Sequence, residues 1–265
     1  QKCEHCGTNI HLFLNHRSMK LYIATPMYGG QCLVPYAKSL IESVRQLKAI
    51  NIETRLDFVS NESLIQRARN LMAHKFYHSG CTHMLFVDAD IGFDFQQILR
   101  LITHAAQCDD AILTGVYSKK FLNWDKIRRK LDGRLVTTEG VQTVGLDYNI
   151  NVDLSHMGSI NNGFASVVDA ATGFMLIPRK VLEKAYAHYA DTLTCKNDLL
   201  DQNHDYIAIF DCMICPISNR YLSEDFSFIR RCQTIGIPVY SDLCSKLSHT
   251  GCLTLRNDVN NIEDF

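Results

Sequence analysis

The run His83-Met84-Leu85-Phe86-Val87-Asp88-Ala89-Asp90 constrains this chain more than any other stretch. An apolar segment of strand length stops at two aspartates that flank one small residue. Alternate side chains of a strand share a face, so Asp88 and Asp90 are expected to point the same way. Two carboxylates placed like that repel each other unless a cation sits between or beside them. Oxygen ligands of this kind suit Mg²⁺ or Mn²⁺, usually shared with substrate phosphates. A strand end in an α/β sheet is also where ligands bind. An isolated pair of this spacing is more often two solvated carboxylates, so the surrounding sequence has to decide.

Around it, strand and helix patterns alternate. Residues 20–25 (KLYIAT) read as a first strand, stopped by Pro26 and the turn signal Gly29-Gly30. Pro35 opens a helix to about Ala49, with Leu40, Ile41, Val44 and Leu47 on one face. Residues 53–59 form a second strand. Asn61 or Ser63 caps a helix running to about Tyr77, which Gly80 ends. The aspartate-bearing strand follows, then a helix over about 95–107 and a strand over 111–117. This alternation predicts a parallel, doubly wound α/β sheet through Tyr117. Residues 121–165 change character and read as an excursion or flap with an antiparallel strand pair. Beyond them come a strand over 167–177, a helix over 179–189, a polar loop to Asp205, a helix capped by Ser223 and a last strand over 237–241.

With 265 residues the chain is long enough for one large domain. Its net charge of −1, with Lys and Arg scattered, argues against a nucleic-acid surface, which needs a basic excess. No apolar run approaches the roughly 20 residues that span a bilayer. Eleven cysteines lack the regular spacing of a disulfide scaffold, so reduced thiols and a cytoplasmic location are the simpler reading. The sequence starts at Gln1, as a fragment or processed chain would. Met19 is the expected start of the catalytic domain, giving an appendage over 1–18 and one domain over 19–265.

Three further features suit the handling of a diphosphate-linked donor. Thr25-Pro26, with Tyr28 and two glycines behind, forms a turn where backbone approaches a base and Tyr28 is available for stacking. A plain strand-to-helix turn explains it equally well. Arg67 and Arg69, two apart, cannot share a helix face. Arg69 is favoured for the cleft because Ile65 and Met72 beside it are apolar; it would bind a base edge, a phosphate or the first aspartate. Glu224 and Asp225 stand in the first turn of a capped helix, where the dipole favours ionised carboxylates. His249 lies in the polar stretch "LSHTG" as a metal ligand or a surface histidine. Thr172-Gly173-Phe174 would shape a sugar or acceptor pocket, although core packing explains Phe174 equally well. Trp124 and Tyr148 offer aromatic faces for a sugar.

In the order "IATPMYGG", "SLIQRARN", "MLFVDADIGF", "AILTGVYSKK", "AATGFMLIPRKVLEK", "YLSEDFSFIRRCQTIGIPVYSD" and "LSHTG", the chain resembles a nucleotide-sugar glycosyltransferase of the GT-A fold, like the small stand-alone enzymes of bacteria, phages and large DNA viruses. The resemblance covers roughly Lys20 to Gly251. It implies a Rossmann-like α/β fold whose mixed, mostly parallel sheet is flanked by helices. Thr25, Pro26 and Tyr28 would line the nucleoside pocket, and Arg69 would hold the base or the diphosphate. Asp88 would contact the ribose or the metal, Asp90 would ligate Mn²⁺ or Mg²⁺, and His249 would complete that site. Lys119 or Lys120 would reach the diphosphate. Asp225 would deprotonate the acceptor hydroxyl in an inverting reaction, with Glu224 on donor or acceptor hydroxyls. The implied donor is a nucleoside-diphosphate sugar, with UDP more frequent than GDP, and the acceptor a glycan or other hydroxyl.

Cys3, Cys6, His11 and His16 follow zinc-knuckle-like spacing, with His at the usual final Cys position. Thiolate and imidazole suit tetrahedral Zn²⁺. Cys212 and Cys215 offer a four-cysteine alternative with Cys3 and Cys6, and a tail carried over from a preceding region is the plain reading. Two other function classes compete: a Mg²⁺-dependent phosphohydrolase or nucleotidyltransferase, and a non-catalytic zinc-bearing binding module.

Overall fold

Residues 83–87 do form a strand, and its neighbours show how the chain is wound. The computed structural model describes residues 19–131, 144–152, 161–196 and 205–251. The proposed zinc residues Cys3, Cys6, His11 and His16 lie outside the described residues.

The strands are β1 (Lys20–Met27), β2 (Glu53–Ser60), β3 (His83–Val87), β4 (Ile91–Gly92), β5 (Ile112–Gly115), β6 (Ile150–Val152) and β7 (Phe164–Ala170). They continue as β8 (Phe174–Pro178), β9 (Thr194–Lys196), β10 (Asp205–Ile207), β11 (Met213–Ile214), β12 (Tyr221–Leu222), β13 (Val239–Asp242) and β14 (Ser248–His249). The helices are α1 (Val34–Ala49), α2 (Ile65–Tyr77), α3 (Phe95–Ala105), α4 (Trp124–Leu131), α5 (Arg179–Leu193) and α6 (Glu224–Thr234).

Eight strands build one sheet in the order β2-β1-β3-β8-β5-β13-β7-β6. Strands β1, β2, β3, β5, β6 and β13 run one way and β7 and β8 the other, so the sheet is mixed and mostly parallel. Pleating divides β1 and β3 between two cores. Tyr22, Met84 and Phe86 meet Met72, Phe76, Leu182 and Phe228 of α2, α5 and α6. Leu21, Ile23, Leu85 and Val87 meet Tyr36, Leu40, Ile98 and Ile102 of α1 and α3. A strand buried on both faces needs an uninterrupted apolar run. Each large side chain so buried contributes about 2 kcal/mol.

Several expected elements are corrected. Residues 167–177 are not one strand: β7 and β8 are separated by Ala171-Thr172-Gly173, and β8 enters antiparallel between β3 and β5. The stretch 121–165 contains helix α4, which carries Arg128 to Lys130, as well as strand β6. The expected polar loop before Asp205 starts later, because α5 continues to Leu193 and β9 pairs with β10. Ile41 of α1 faces outward, 72% exposed, while the buried stripe is Tyr36, Leu40, Ser43 and Leu47. Neither Asn61 nor Ser63 caps α2. The N-cap position is Leu64, whose N–H donates to Glu62 Oε1, and Asn61 adopts φ 62° in the preceding turn. Phe174 belongs to the core, 5.4 Å from Phe93 between ring centres.

Candidate active site

The turn after β3, the segment after β5, the residues before β8, the first turn of α6 and strand β14 meet around a cleft of about 350 Å³. Its walls include Arg69, Asp88, Asp90, Lys120, Thr172, Glu224, Asp225 and His249. The sequence spreads these eight residues over 181 positions, and the fold brings them together. It also adds Tyr117, Asn149 and Ser223, which sequence reasoning did not assign to the site.

Strand β3 ends at Val87, so Asp88-Ala89-Asp90 is a turn and not a continuation of the pleat. Both aspartates reach the cleft because backbone bonds pin that turn from three sides. Asp88 N–H donates to Gly173 O (3.0 Å), Leu33 N–H to Ala89 O (2.9 Å) and Thr250 N–H to Asp90 O (3.0 Å). The two carboxylates therefore keep different partners.

Asp88 faces Arg69, whose Nη2 donates to Oδ1 at 2.9 Å and to Oδ2 at 3.3 Å. Arg69 Nε donates to Glu224 Oε1 at 3.1 Å. The guanidinium is 3% exposed and sits 5.2 Å above the Phe86 ring. Burial works against its charge, but the two carboxylates outweigh that and raise its pKa. Arg69 is thus a clamp joining β3 to α6 across the sheet face. Arg67, two residues away, pairs with Glu62 instead. Ile65 is exposed and Met72 buried, so only one of the two apolar neighbours shares the inward face with Arg69.

Asp90 faces His249. The His249 Nδ1 lies 2.7 Å from the carbonyl oxygen of Ser118. A carbonyl only accepts, so Nδ1 carries the hydrogen, and Nε2 is the ring nitrogen turned toward Asp90. That nitrogen lies 3.5 Å from Asp90 Oδ1, a buried oxygen that no hydrogen bond satisfies. A buried carboxylate oxygen and an imidazole nitrogen this close can share either a proton or a cation. Lys120 Nζ pairs with the other oxygen, Oδ2. Burial would raise the Asp90 carboxyl, but His249 and Lys120 together hold it below its usual range. Among the described residues no group of three or more His, Cys, Asp or Glu side chains is gathered to hold a metal. A cation here would take Asp90 and His249 from the protein and its remaining ligands from water or substrate.

Asp225 lies on the α6 wall. Ser223, at the N-cap position, does not cap the helix; its hydroxyl donates to Asp225 Oδ1, which also accepts from Phe226 N–H at 2.8 Å. Burial, reinforced by the neighbouring Glu224 carboxylate, raises the Asp225 pKa above the usual range.

Gly173 packs behind two residues of the wall, Tyr117 and Asp88. A Cβ on it would stand 2.4 Å from Tyr117 Oη and 3.0 Å from Asp88 Oδ2, so no larger residue fits. Its N–H donates to Tyr117 Oη at 3.0 Å. The Tyr117 ring in turn meets His249 edge-on at 5.0 Å. Thr172 Oγ1 and Arg69 Nη1 are, like Asp90 Oδ1, buried at the cleft wall with no hydrogen-bond partner.

The remaining predicted residues stand apart. Thr25 is fully buried, its hydroxyl 2.6 Å from Tyr36 Oη. Pro26 is within β1, and Tyr28 follows at its carboxyl end, 70% exposed. None of the three lines this cleft, although Tyr28 rises from the same edge of the sheet. Lys119 is exposed, its N–H donating to Asp147 O at 2.7 Å, and only Lys120 turns into the cleft. Trp124 opens α4 on the surface, and Tyr148 bridges to Ser118. The eight cysteines among the described residues are free thiols. Among those residues no helix is long and apolar enough to cross a membrane.

No family model and no curated protein matches the chain by sequence. Its fold does have solved counterparts. The crystal structure of GalNAc-T7 with UDP, GalNAc and Mn²⁺ superposes with a TM-score of 0.50 at 8% identity, over 88% of this chain and 44% of that one. S. aureus TarS 1-349 in complex with UDP-GlcNAc matches at a TM-score of 0.44 and 10% identity, over 89% and 60% of the respective chains. UDP-glucose pyrophosphorylase complexed with UDP-glucose matches at 0.41 and 10%, over 87% and 92%. This chain thus spans less than half of the GalNAc-T7 structure and about 60% of the TarS one. At these identities the likeness is one of fold: the mixed, mostly parallel α/β sheet is of the GT-A, Rossmann-like type.

Proposed function

We propose that this chain transfers a glycosyl group from a nucleoside-diphosphate sugar, with UDP as the nucleotide, to an acceptor hydroxyl with inversion at the anomeric carbon. The observation that carries this reading is the Asp90 Oδ1 without a hydrogen bond, 3.5 Å from His249 Nε2, in one cleft with a carboxyl group, Asp225, of raised pKa. The GalNAc-T7 structure, with the same fold, holds UDP, GalNAc and Mn²⁺, which supports a nucleotide-sugar donor and a divalent cation.

Asp90 and His249 would hold Mn²⁺ or Mg²⁺, which when bound offsets the charge that grows on the departing diphosphate. Asp225 accepts the proton of the acceptor hydroxyl. The freed oxygen bonds to the anomeric carbon from the face opposite the phosphate, and the carbon–oxygen bond to the diphosphate breaks with its electron pair. A carboxylate whose pKa is raised is the better base once ionised. Glu224, steadied by Arg69, would accept from hydroxyls of the sugar, and Thr172 Oγ1 would meet the same sugar from the β8 side. Tyr28, at the open end of β1, would stack on the base.

The test is turnover with a panel of UDP-sugars, water serving as acceptor, and the anomer of the released sugar read by proton NMR. Inversion is expected, and Asp225→Asn should lower kcat by roughly 10²- to 10⁴-fold while leaving UDP affinity near that of the parent. A retained anomer, or full activity in Asp225→Asn, contradicts the assignment of Asp225.

A further inference from the structure

Lys120 contacts the Asp90 oxygen that does not face His249. Its aliphatic stem lies along Gly251, where a Cβ would come within 2.9 Å of the Lys120 Cβ and 3.0 Å of its Cδ. The residue before Gly251, Thr250, donates its N–H to the Asp90 carbonyl oxygen. Asp90, Lys120 and the 248–251 segment therefore form one small assembly, in which the ammonium holds Oδ2 while Oδ1 stays without a hydrogen bond. The Lys120 side chain is about 40% exposed, so it is free to swing once its partner is taken.

Resting on the transfer reading above, we propose that Lys120 and a divalent cation are alternative counter-ions of Asp90. The ammonium holds the carboxylate in the resting protein. A cation entering between Asp90 and His249 displaces it, and the freed ammonium pairs with the diphosphate of the donor. A full positive charge beside a dication is repelled, and the nearest new negative charge is the donor that arrives with the metal. The exchange makes cation and nucleotide binding cooperative: the cation alone must break an ion pair, whereas the cation with a diphosphate gives Lys120 a new partner.

Two titrations on the full chain test this: Mn²⁺ binding without nucleotide, read from the free-Mn²⁺ EPR signal, and UDP binding at saturating Mn²⁺, read by calorimetry. Lys120→Met keeps the stem and removes the charge. It should bind Mn²⁺ roughly three- to tenfold more tightly, since an exposed ion pair no longer competes, and bind UDP more weakly by a similar factor. A mere packing role for Lys120 would not move the two affinities in opposite directions. Weaker or unchanged Mn²⁺ binding in Lys120→Met, or unchanged UDP affinity, overturns the exchange. If the parent protein binds neither Mn²⁺ nor UDP, it is the transfer reading that has failed.

Discussion

At the scale of single residues, the cleft is held by charges that cannot be removed one at a time. Replacing Arg69 by Met leaves the buried Glu224 and the half-buried Asp88 without their cation. Breaking such a pair from one side costs about 3–5 kcal/mol. Chemical denaturation of Arg69→Met should show that loss, and adding Glu224→Gln should recover part of it, because one of the stranded charges goes as well. Gly173→Ala is expected to cost about 1–3 kcal/mol by driving a methyl into Tyr117 and Asp88, with weaker UDP binding as a second readout. In the proposed transfer, Asp225 sets the pH dependence. The base works only when ionised, and its pKa is raised, so the acid limb of kcat/KM should lie above the ordinary aspartate range. A limb at or below that range would contradict the role. Asp90 runs the other way. Its pKa is depressed, so its ion pairs stabilise the fold above the ordinary carboxylate range and are lost as pH falls through the lowered value.

Among the elements, two short pairings matter more than their length suggests. β14 pairs antiparallel with β4, setting His249 opposite Ile91 and so beside the aspartate turn. A Cβ on Gly92 would stand 2.3 Å from Ser248 Oγ and 3.0 Å from Pro35 Cβ. Gly92→Ala should therefore push β14 away and weaken Mn²⁺-dependent UDP binding, which calorimetry would read. By contrast, α3 is anchored by a capping box in which Asp94 accepts from Gln96 and Gln97 N–H and Gln97 returns to Asp94 N–H. Asp94→Ala should cost about 1 kcal/mol and leave nucleotide binding intact. Much of this layer is legible in the sequence. Proline near the start of α1, the apolar run of β3 and the acidic first turn of α6 each mark an element by a local rule. The cap of α2 is not legible, because Asn61 takes a left-handed turn conformation and Glu62 supplies the acceptor. Ser223 stands where a cap is expected, yet its hydroxyl turns to Asp225. A side chain with two available partners cannot be assigned from spacing alone.

Across the whole molecule, the sheet runs parallel until β8 slips between β3 and β5 in the opposite sense. Residues 167–177 read as one apolar strand because β7 and β8 are both buried, and nothing in that pattern marks the crossing at Thr172-Gly173. The same crossing carries Gly173 to the carboxyl end of β3, where its carbonyl binds Asp88 N–H. Asp88 and Asp90 are therefore legible as a pair, and Arg69 as one option for the first of them, but the bond from Arg69 to Glu224 is not, since the two lie 155 positions apart. Tyr117 and Asn149 carry no local signal at all; they enter the cleft only through the packing of β5 and of the segment before β6. A central sheet of known type with acidic groups gathered at its carboxyl edge is where a nucleotide is expected to sit.

On the proposed reading, this edge binds a nucleoside diphosphate together with a divalent cation at Asp90. The most direct measurement is the melting temperature of the chain with UDP, GDP, ADP or no nucleotide, each with Mn²⁺ or with EDTA, in the parent and in Asp90→Asn. Ligand binding to the native state raises Tm by mass action. A rise with UDP and Mn²⁺ together is expected, which EDTA removes and Asp90→Asn abolishes. No rise with any nucleotide in well-folded protein, or the same rise in Asp90→Asn, would contradict that reading.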